Sequence, residues 1–174
     1  MPQSIVPVVG DPMPDIALVD AGGRSSRLED VRDGRRAIVH FMRSSTCPVC
    51  LAHAATIQRL FDAGEIADAA FVLVPPGGPD EAATTAGRVA ARGIRAEVWA
   101  SGTDHGSVGL GQFLGLQHSG TFVIDDGGLL LAVRTSTLPT GSFSRDEVVA
   151  ALPAPKHAAD EVAPSETEPR EVRS

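Results

Sequence analysis

The sequence predicts an α/β fold in which strand, helix and strand form a parallel unit, extended by an antiparallel hairpin and a closing helix. Three observations carry that prediction. Arg36 to Met42 is apolar and β-branched, and after Cys47-Pro48-Val49-Cys50 the residues Ala54, Ile57 and Phe61 recur at helical spacing. Phe71-Val72-Leu73-Val74 repeats the buried-strand pattern and stops at Pro75-Pro76-Gly77-Gly78-Pro79. Thr121 to Ile124 and Leu129 to Val133 flank Asp125-Asp126-Gly127-Gly128, the signature of a hairpin turn.

The remaining elements follow in chain order. Residues 1–14 hold four prolines and read as an irregular N-terminal lead-in. Ile16 to Val19 reads as a short strand ended by Asp20-Ala21-Gly22-Gly23, and Ser26-Arg27-Leu28-Glu29 as a capping box opening a short helix that Asp33-Gly34 ends. Gly64 interrupts the helix after the cysteines. Asp80 to Arg92 is an alanine-rich helix closed by Gly93, and Val98-Trp99 is a weaker strand. Asp104 to Leu114 is expected to be helical despite Gly106, Gly109 and Gly111. Ser144-Arg145-Asp146-Glu147 is a second capping box, opening a helix to about Leu152. The main domain is therefore expected over 15–152, and the proline-rich, charged stretch 153–174 reads as a disordered acidic tail.

Composition narrows the function. Hydrophobic residues make up 43% and charged residues 21%, ordinary for a globular chain, and a net charge of −7 argues against nucleic acid or anionic membrane as partners. No apolar run approaches the ~20 residues of a membrane span. Met1 to Asp15 lacks a basic segment followed by an apolar one, so no export signal is expected and the cytoplasm is the expected address.

The two cysteines are the only ones among 174 residues. Their C-x-x-C spacing at a strand-to-helix junction puts them on the first turn of a helix, where unpaired amides and the macrodipole favour an anion. A thiolate is the only candidate anion in this segment, and such placement lowers a thiol from about 8.5 to roughly 3.5–7.5. The spacing also permits an intrachain disulfide, so redox chemistry is the leading reading. Two others remain open: a pair of buried hydrophobes, or half of a zinc site completed by histidines. No second C-x-x-C and no H-x-x-x-H pair supplies the rest of such a site. Pro75 to Pro79 lacks the Lys-Ser/Thr pair of a phosphate loop and is not expected to lead directly into a helix. No cofactor is expected.

A βαβ unit carrying C-x-x-C, then a hairpin and a closing helix, is a thioredoxin-like arrangement: a central mixed sheet flanked by helices, here with a redoxin-type N-terminal extension. From Gly10 to about Leu152 the chain resembles thioredoxin-fold redoxins of the AhpC/TSA, or peroxiredoxin-like, family. Gly10-Asp11-Pro12-Met13-Pro14-Asp15 resembles the family's opening G-x-x-x-P-D. Phe41-Met42-Arg43 to Cys47-Pro48-Val49-Cys50 resembles F-Y-R-G-x-W-C-P-Y-C, and Thr121 to Gly128 resembles the T-F-V-I-D-x-x-G hairpin.

The resemblance implies a thiol-dependent oxidoreductase cycling a Cys47–Cys50 disulfide, with Cys47 and Cys50 as catalytic residues. It also implies a thiol reductant (thioredoxin-like or low-molecular-weight) and a disulfide or peroxide substrate, a homodimer being left open. Pro48, Arg43, Thr46, His118, Ser119, Gly120 and Thr121 are the expected neighbours of the site. The departures bear on activity. In the peroxiredoxin pattern P-x-x-x-T-x-x-C the proline falls on Arg43, the threonine on Cys47 and the peroxidatic cysteine on Cys50. Both the family's active-site arginine and the thioredoxin cis-proline fall on Ser119. The alternative to an enzyme is a degenerate binding module that holds a metal, an iron–sulfur cluster or a partner protein through the same C-x-x-C.

Cys47, at the more exposed position, is the expected nucleophile and Cys50 the resolving thiol; the reverse order would favour peroxidase chemistry. His53 lies one turn after Cys50 and is either thiolate support or polar surface. Of the other histidines, His118 is a candidate to face the cysteines and His40 reads as a satisfied core residue. His105 and His157 read as loop and tail residues, and Trp99 lies outside the motif because Thr46 takes the aromatic's position.

Overall fold

The computed structural model describes residues 5–102, 105–114 and 116–155; His157 and nearly all of the expected tail lie outside them. Its centre is a five-stranded mixed sheet built from β3 (Ala37–Phe41), β4 (Ala70–Val74), β5 (Glu97–Val98), β8 (Ser119–Ile124) and β9 (Leu130–Ser136), in the order β5-β4-β3-β8-β9. β3 runs parallel to β4 and antiparallel to β8, while β4 and β5 are parallel. β3 and β4 are buried along their whole length, and that is why they read as continuous apolar runs rather than alternating ones.

The sheet separates two apolar layers. On one face Val39, Phe41, Val72, Phe122 and Ile124 pack with Ile16, Leu28 and Trp99, beneath β1 (Ala17–Val19), β2 (Ser25–Arg27) and α1 (Leu28–Arg32). On the other, Ile38, Met42, Phe71, Leu73 and Val123 meet Cys50, Leu51, Ala54, Ile57 and Leu60 of α2 (Pro48–Asp62). Those helical positions recur every three or four residues, and burying each large side chain contributes about 1.5–3 kcal/mol. The layer is completed by Val89 of α3 (Pro79–Ala91) and Val148 of α4 (Arg145–Ala151). Residues 10–13 join the hairpin: Gly10 N–H bonds to Leu130 O and Met13 N–H to Gly128 O, both at 2.9 Å.

Three sequence expectations are corrected. Ser26 does not cap α1: it lies in β2, Arg27 holds the cap position without a side-chain bond, and the carboxylate of Asp15 accepts from Glu29 N–H at 3.1 Å. A residue twelve or more positions upstream thus does the capping, which a local motif cannot reveal. Residues 106–114 form no α-helix. They hold a 3₁₀ turn at Gly106–Val108 and a small hairpin of β6 (Gln112–Phe113) and β7 (Leu116–Gln117), because three glycines weaken helix while Gly109 adopts φ +79°. Finally, a helix does follow the proline-rich stretch at once, with Pro79 on its first turn and Gly78 N–H bonded to the Glu81 carboxylate at 2.8 Å.

Candidate active site

β3 ends at Phe41, and the chain turns through residues 42–46 to enter α2 at Pro48. Met42 N–H continues the ladder to Val74 O, Cys47 N–H bonds to Ser44 O at 3.3 Å, and Thr85 of α3 donates its buried hydroxyl to Ser45 O at 3.2 Å. Thr85 is a site-shaping residue that sequence reasoning missed. A threonine in an alanine-rich helix gives no signal until the helix is seen to lie against this loop.

Cys47 is the N-cap of α2, a position usually held by Ser, Thr, Asp or Asn. Its sulfur does what those side chains do: Sγ accepts from Cys50 N–H at 3.3 Å. Cys50 lies one turn further in, fully buried, its own Sγ accepting from Arg43 N–H at 3.4 Å. Both carry free thiols. Cys47 is 7% exposed and Cys50 0%, so the sequence order of accessibility holds, though the opening at Cys47 is narrow.

The two sulfurs differ sharply in acidity. The Cys50 thiol donating to it, above all, holds the Cys47 thiolate well below the usual thiol range, at about 6. The backbone amides of Cys50 and Val49 and the charge of Arg43 act in the same direction, against the opposing effect of burial. The same shared proton and burial push Cys50 strongly upward. At neutral pH the pair is therefore one thiolate and one thiol, with the anion on the sulfur that solvent reaches. Pro48 at the first helical position removes an amide that would have lacked a partner anyway.

The other predicted neighbours divide. Thr46 is exposed beside Cys47, and Arg43 is half-buried with its charge acting on that thiolate. Ser119 starts β8 with its hydroxyl buried and without a partner among the described residues. Gly120 is structural: a Cβ there would come within 3.1 Å of Arg134 O and Thr135 Cγ2, so its absence lets β8 and β9 close. The chain contains no cis peptide bond among the described residues, so the His118–Ser119 link does not reproduce the bend of a cis-proline.

Five further residues have definite surroundings. The Thr121 hydroxyl is buried between His40 Nδ1 at 2.9 Å and Ser142 O at 2.7 Å. His118 lies against Gly111, bordering a cavity of about 190 Å³ shared with Val6, Leu110 and residues 135–137; no cysteine lines it. His105 is a loop residue by position but is completely buried, with Nε2 donating to Met42 O and Nδ1 paired with Ser101 Oγ, each at 2.8 Å. It packs edge-on against Phe41. His40 is only half satisfied, since its Nε2 has no partner. His53 donates Nε2–H to Pro139 O at 2.8 Å rather than serving as plain surface.

The comparisons with known proteins fit this geometry. The AhpC/TSA family matches residues 9–133. The chain belongs to the AhpC/TSA family. Among solved structures it is similar to the peroxidoxin BcpB of Mycobacterium tuberculosis, at 21% identity and a TM-score of 0.63, covering 83% of this chain and 95% of that one. Reduced Prx3 of Vibrio vulnificus gives 17% and 0.66, covering 83% and 98%, and the thiol peroxidase of Chromobacterium violaceum gives 14% and 0.66, covering 82% and 84%. At those identities the likeness shows the thioredoxin-like fold. No curated protein sequence matches the chain.

The protein is thus a thiol-dependent oxidoreductase, and its family implies a thiol reductant and a peroxide or disulfide substrate. Among the described residues no three His, Cys, Asp or Glu side chains cluster as a metal site would need. No helix among them is long and apolar enough to cross a membrane.

Proposed function

We propose that the protein is a thiol–disulfide oxidoreductase in which Cys47 attacks the substrate and Cys50 resolves the product. The observation that carries this reading is the difference between the sulfurs: an N-cap thiolate with a narrow opening to solvent above a fully buried thiol. The Cys47 thiolate attacks one sulfur of a substrate disulfide, forming a mixed disulfide and releasing the other sulfur as thiolate. Cys50 then loses its proton and attacks Cys47 Sγ, and the second substrate sulfur leaves. The substrate gains two electrons, the protein keeps a Cys47–Cys50 disulfide, and an external thiol reductant reopens it. With a peroxide the same thiolate takes an oxygen to become a sulfenic acid, which Cys50 converts to the disulfide with loss of water.

Disulfide exchange is the better supported of the two substrates. The residue aligned with the peroxidatic cysteine is Cys50, which is sealed from solvent and held protonated. The test is the pH profile of alkylation in wild type, Cys47→Ser and Cys50→Ser, together with trapping of substrate. Reactivity that half-titrates near pH 6 and vanishes in Cys47→Ser, with stable mixed disulfides in Cys50→Ser, supports the assignment. A reactive Cys50 in the Cys47→Ser protein, consuming hydroperoxide at the wild-type rate, would overturn it.

A further inference from the structure

The cysteine end of the sheet is built from stretches without negative charge, in a chain that carries a surplus of it. Of the 22 acidic residues in the sequence, none lies in 34–61, 105–124 or 127–145. The first stretch holds β3, the cysteine loop and α2, the second holds β8, and the third holds β9 and the turn after it. That turn packs on α2, where His53 donates to Pro139 O. α3, which reaches the loop through Thr85, brings Asp80 and Glu81 on its first turn. The Glu81 carboxylate is already taken up by Gly78 N–H at 2.8 Å.

Arg43 stands in the middle of this region. Its N–H is bonded to Cys50 Sγ at 3.4 Å, which fixes the root of the side chain beside the sulfurs. A guanidinium carries five N–H donors, and no described residue accepts from this one. Arg36 and Arg88 are also without an acceptor, but both are exposed and water serves them, whereas Arg43 is partly buried. Arg134 on β9 is engaged by Gly141 O and Glu147. The Cys47 thiolate does not consume the charge of Arg43, which is the last and weakest of five influences on that sulfur. A cation partly withdrawn from water and left without acceptors is suited to an incoming anion.

Cys47 ends the turn that Arg43 begins and is only 7% exposed. A disulfide attacked there brings the groups next to its own sulfurs to the cysteine loop.

We propose that Arg43 selects the substrate by binding a carboxylate carried a few bonds from the disulfide that Cys47 attacks. The inference rests on the thiol–disulfide reading above and names its substrate class, an anionic disulfide. The guanidinium donates two parallel N–H bonds to the carboxylate. No bond is made or broken there, so the exchange keeps the balance already given. The carboxylate belongs either to a low-molecular-weight thiol or to an acidic side chain beside a cysteine in a polypeptide, and the chemistry is the same. Surroundings poor in carboxylates let such a substrate approach although the whole chain carries −7.

The test uses the full reduced chain and three dialkyl disulfides that differ in their end groups: dithiodipropionate, bis(2-hydroxyethyl) disulfide and cystamine. The measure is the second-order rate of protein oxidation at pH 9, where Cys47 is ionised with or without Arg43. Dividing each rate by that of the same disulfide with free 2-mercaptoethanol removes intrinsic reactivity. In wild type the dianion should then react about tenfold faster than the neutral disulfide, and the dication slowest. Raised salt should shrink that preference. Arg43→Gln should bring the dianion and the neutral disulfide to within about twofold of each other. Equal normalised rates in wild type, or a preference that survives in Arg43→Gln, overturns the proposal. Should the variant not fold, the wild-type comparison and its salt dependence decide alone. If Arg43→Gln slows all three disulfides and hydroperoxide alike, the arginine serves only the thiolate, and the proposal is equally overturned. If oxidation persists in Cys47→Ser, the functional assignment has failed instead. A blocked peptide disulfide with Glu beside its cysteine, set against its Gln twin, separates the two sources. A preference for Glu there places acidic polypeptides among the substrates, and one confined to the small disulfides restricts them to low-molecular-weight thiols.

Discussion

Two segments of similar length shape the active-site end of the sheet, and they are built on different principles. Residues 37–62 run strand, turn and helix, and the groups around the cysteines are met locally: Cys47 Sγ by Cys50 N–H, Cys50 Sγ by Arg43 N–H, Cys47 N–H by Ser44 O. The described residues of 99–118 contain hardly any regular structure and are held by side chains reaching far along the chain. His105 Nε2 reaches Met42 O, and the Gln117 side chain serves His105 N–H, Leu110 O and Gly111 O. The lesson is that both cysteine sulfurs are held by bonds within the segment itself, and only single points of its loop, Met42 O and Ser45 O, are met by side chains from elsewhere. The segment behind it is stiff only through a few buried side chains, and it should break at single substitutions.

The largest expected effect is in the first segment. Cys47→Ala removes the nucleophile and abolishes disulfide reduction, while Cys50→Ala leaves Cys47 reactive but raises its titration from about 6 toward the ordinary thiol range. Alkylation rate against pH checks both. Neither change should unfold the protein, because each removes a single sulfur atom and leaves the surrounding apolar cluster in place. In wild type the sign follows from the depressed value. The thiolate contributes stability that is complete above the unfolded thiol's range and is lost as pH falls through about 6. Denaturant midpoints between pH 5 and 9 should therefore rise with pH in wild type more steeply than in Cys47→Ala.

Next comes the second segment. His105→Ala removes the hydrogen bonds to Met42 O and the Ser101 hydroxyl and opens a gap beside Phe41, for an expected loss of about 3 kcal/mol in urea denaturation. Since Met42 lies at the entrance to the cysteine loop, a shifted Cys47 titration in that variant would show the segments to be coupled. An unshifted one would confirm their independence. Gly109→Ala is smaller, about 1–3 kcal/mol, because Gly109 has φ +79° and a Cβ there would meet Val6 N at 2.6 Å. Its signature is earlier proteolysis of the N-terminal lead-in. The smallest effect belongs to Arg43→Ala, the last-ranked cause acting on Cys47. It should raise the thiol titration slightly, and more at low than at high salt.

Sequence reading reached different depths in the two segments. The cysteine helix was legible because strand period, Pro48 at the first turn and the C-x-x-C spacing are all local signals. Residues 106–114 depart from the expected helix because their determinant is Gln117 closing a loop over His105, a contact with no local periodicity. The capping of α1 by Asp15 and the tethering of Ser45 by Thr85 were hidden for the same reason.

By itself the sequence determined the mixed α/β sheet, the family and the pair of sulfurs, since apolar period and residue spacing are properties of the chain. Only the tertiary structure decided which sulfur is acidic and what stands beneath them. Burial sets Cys50 apart from Cys47, and β8 brings Thr121 to His40 across 81 positions of chain. Desolvation and long-range hydrogen bonds arise only when distant segments exclude water together, so no reading of neighbours along the chain contains them.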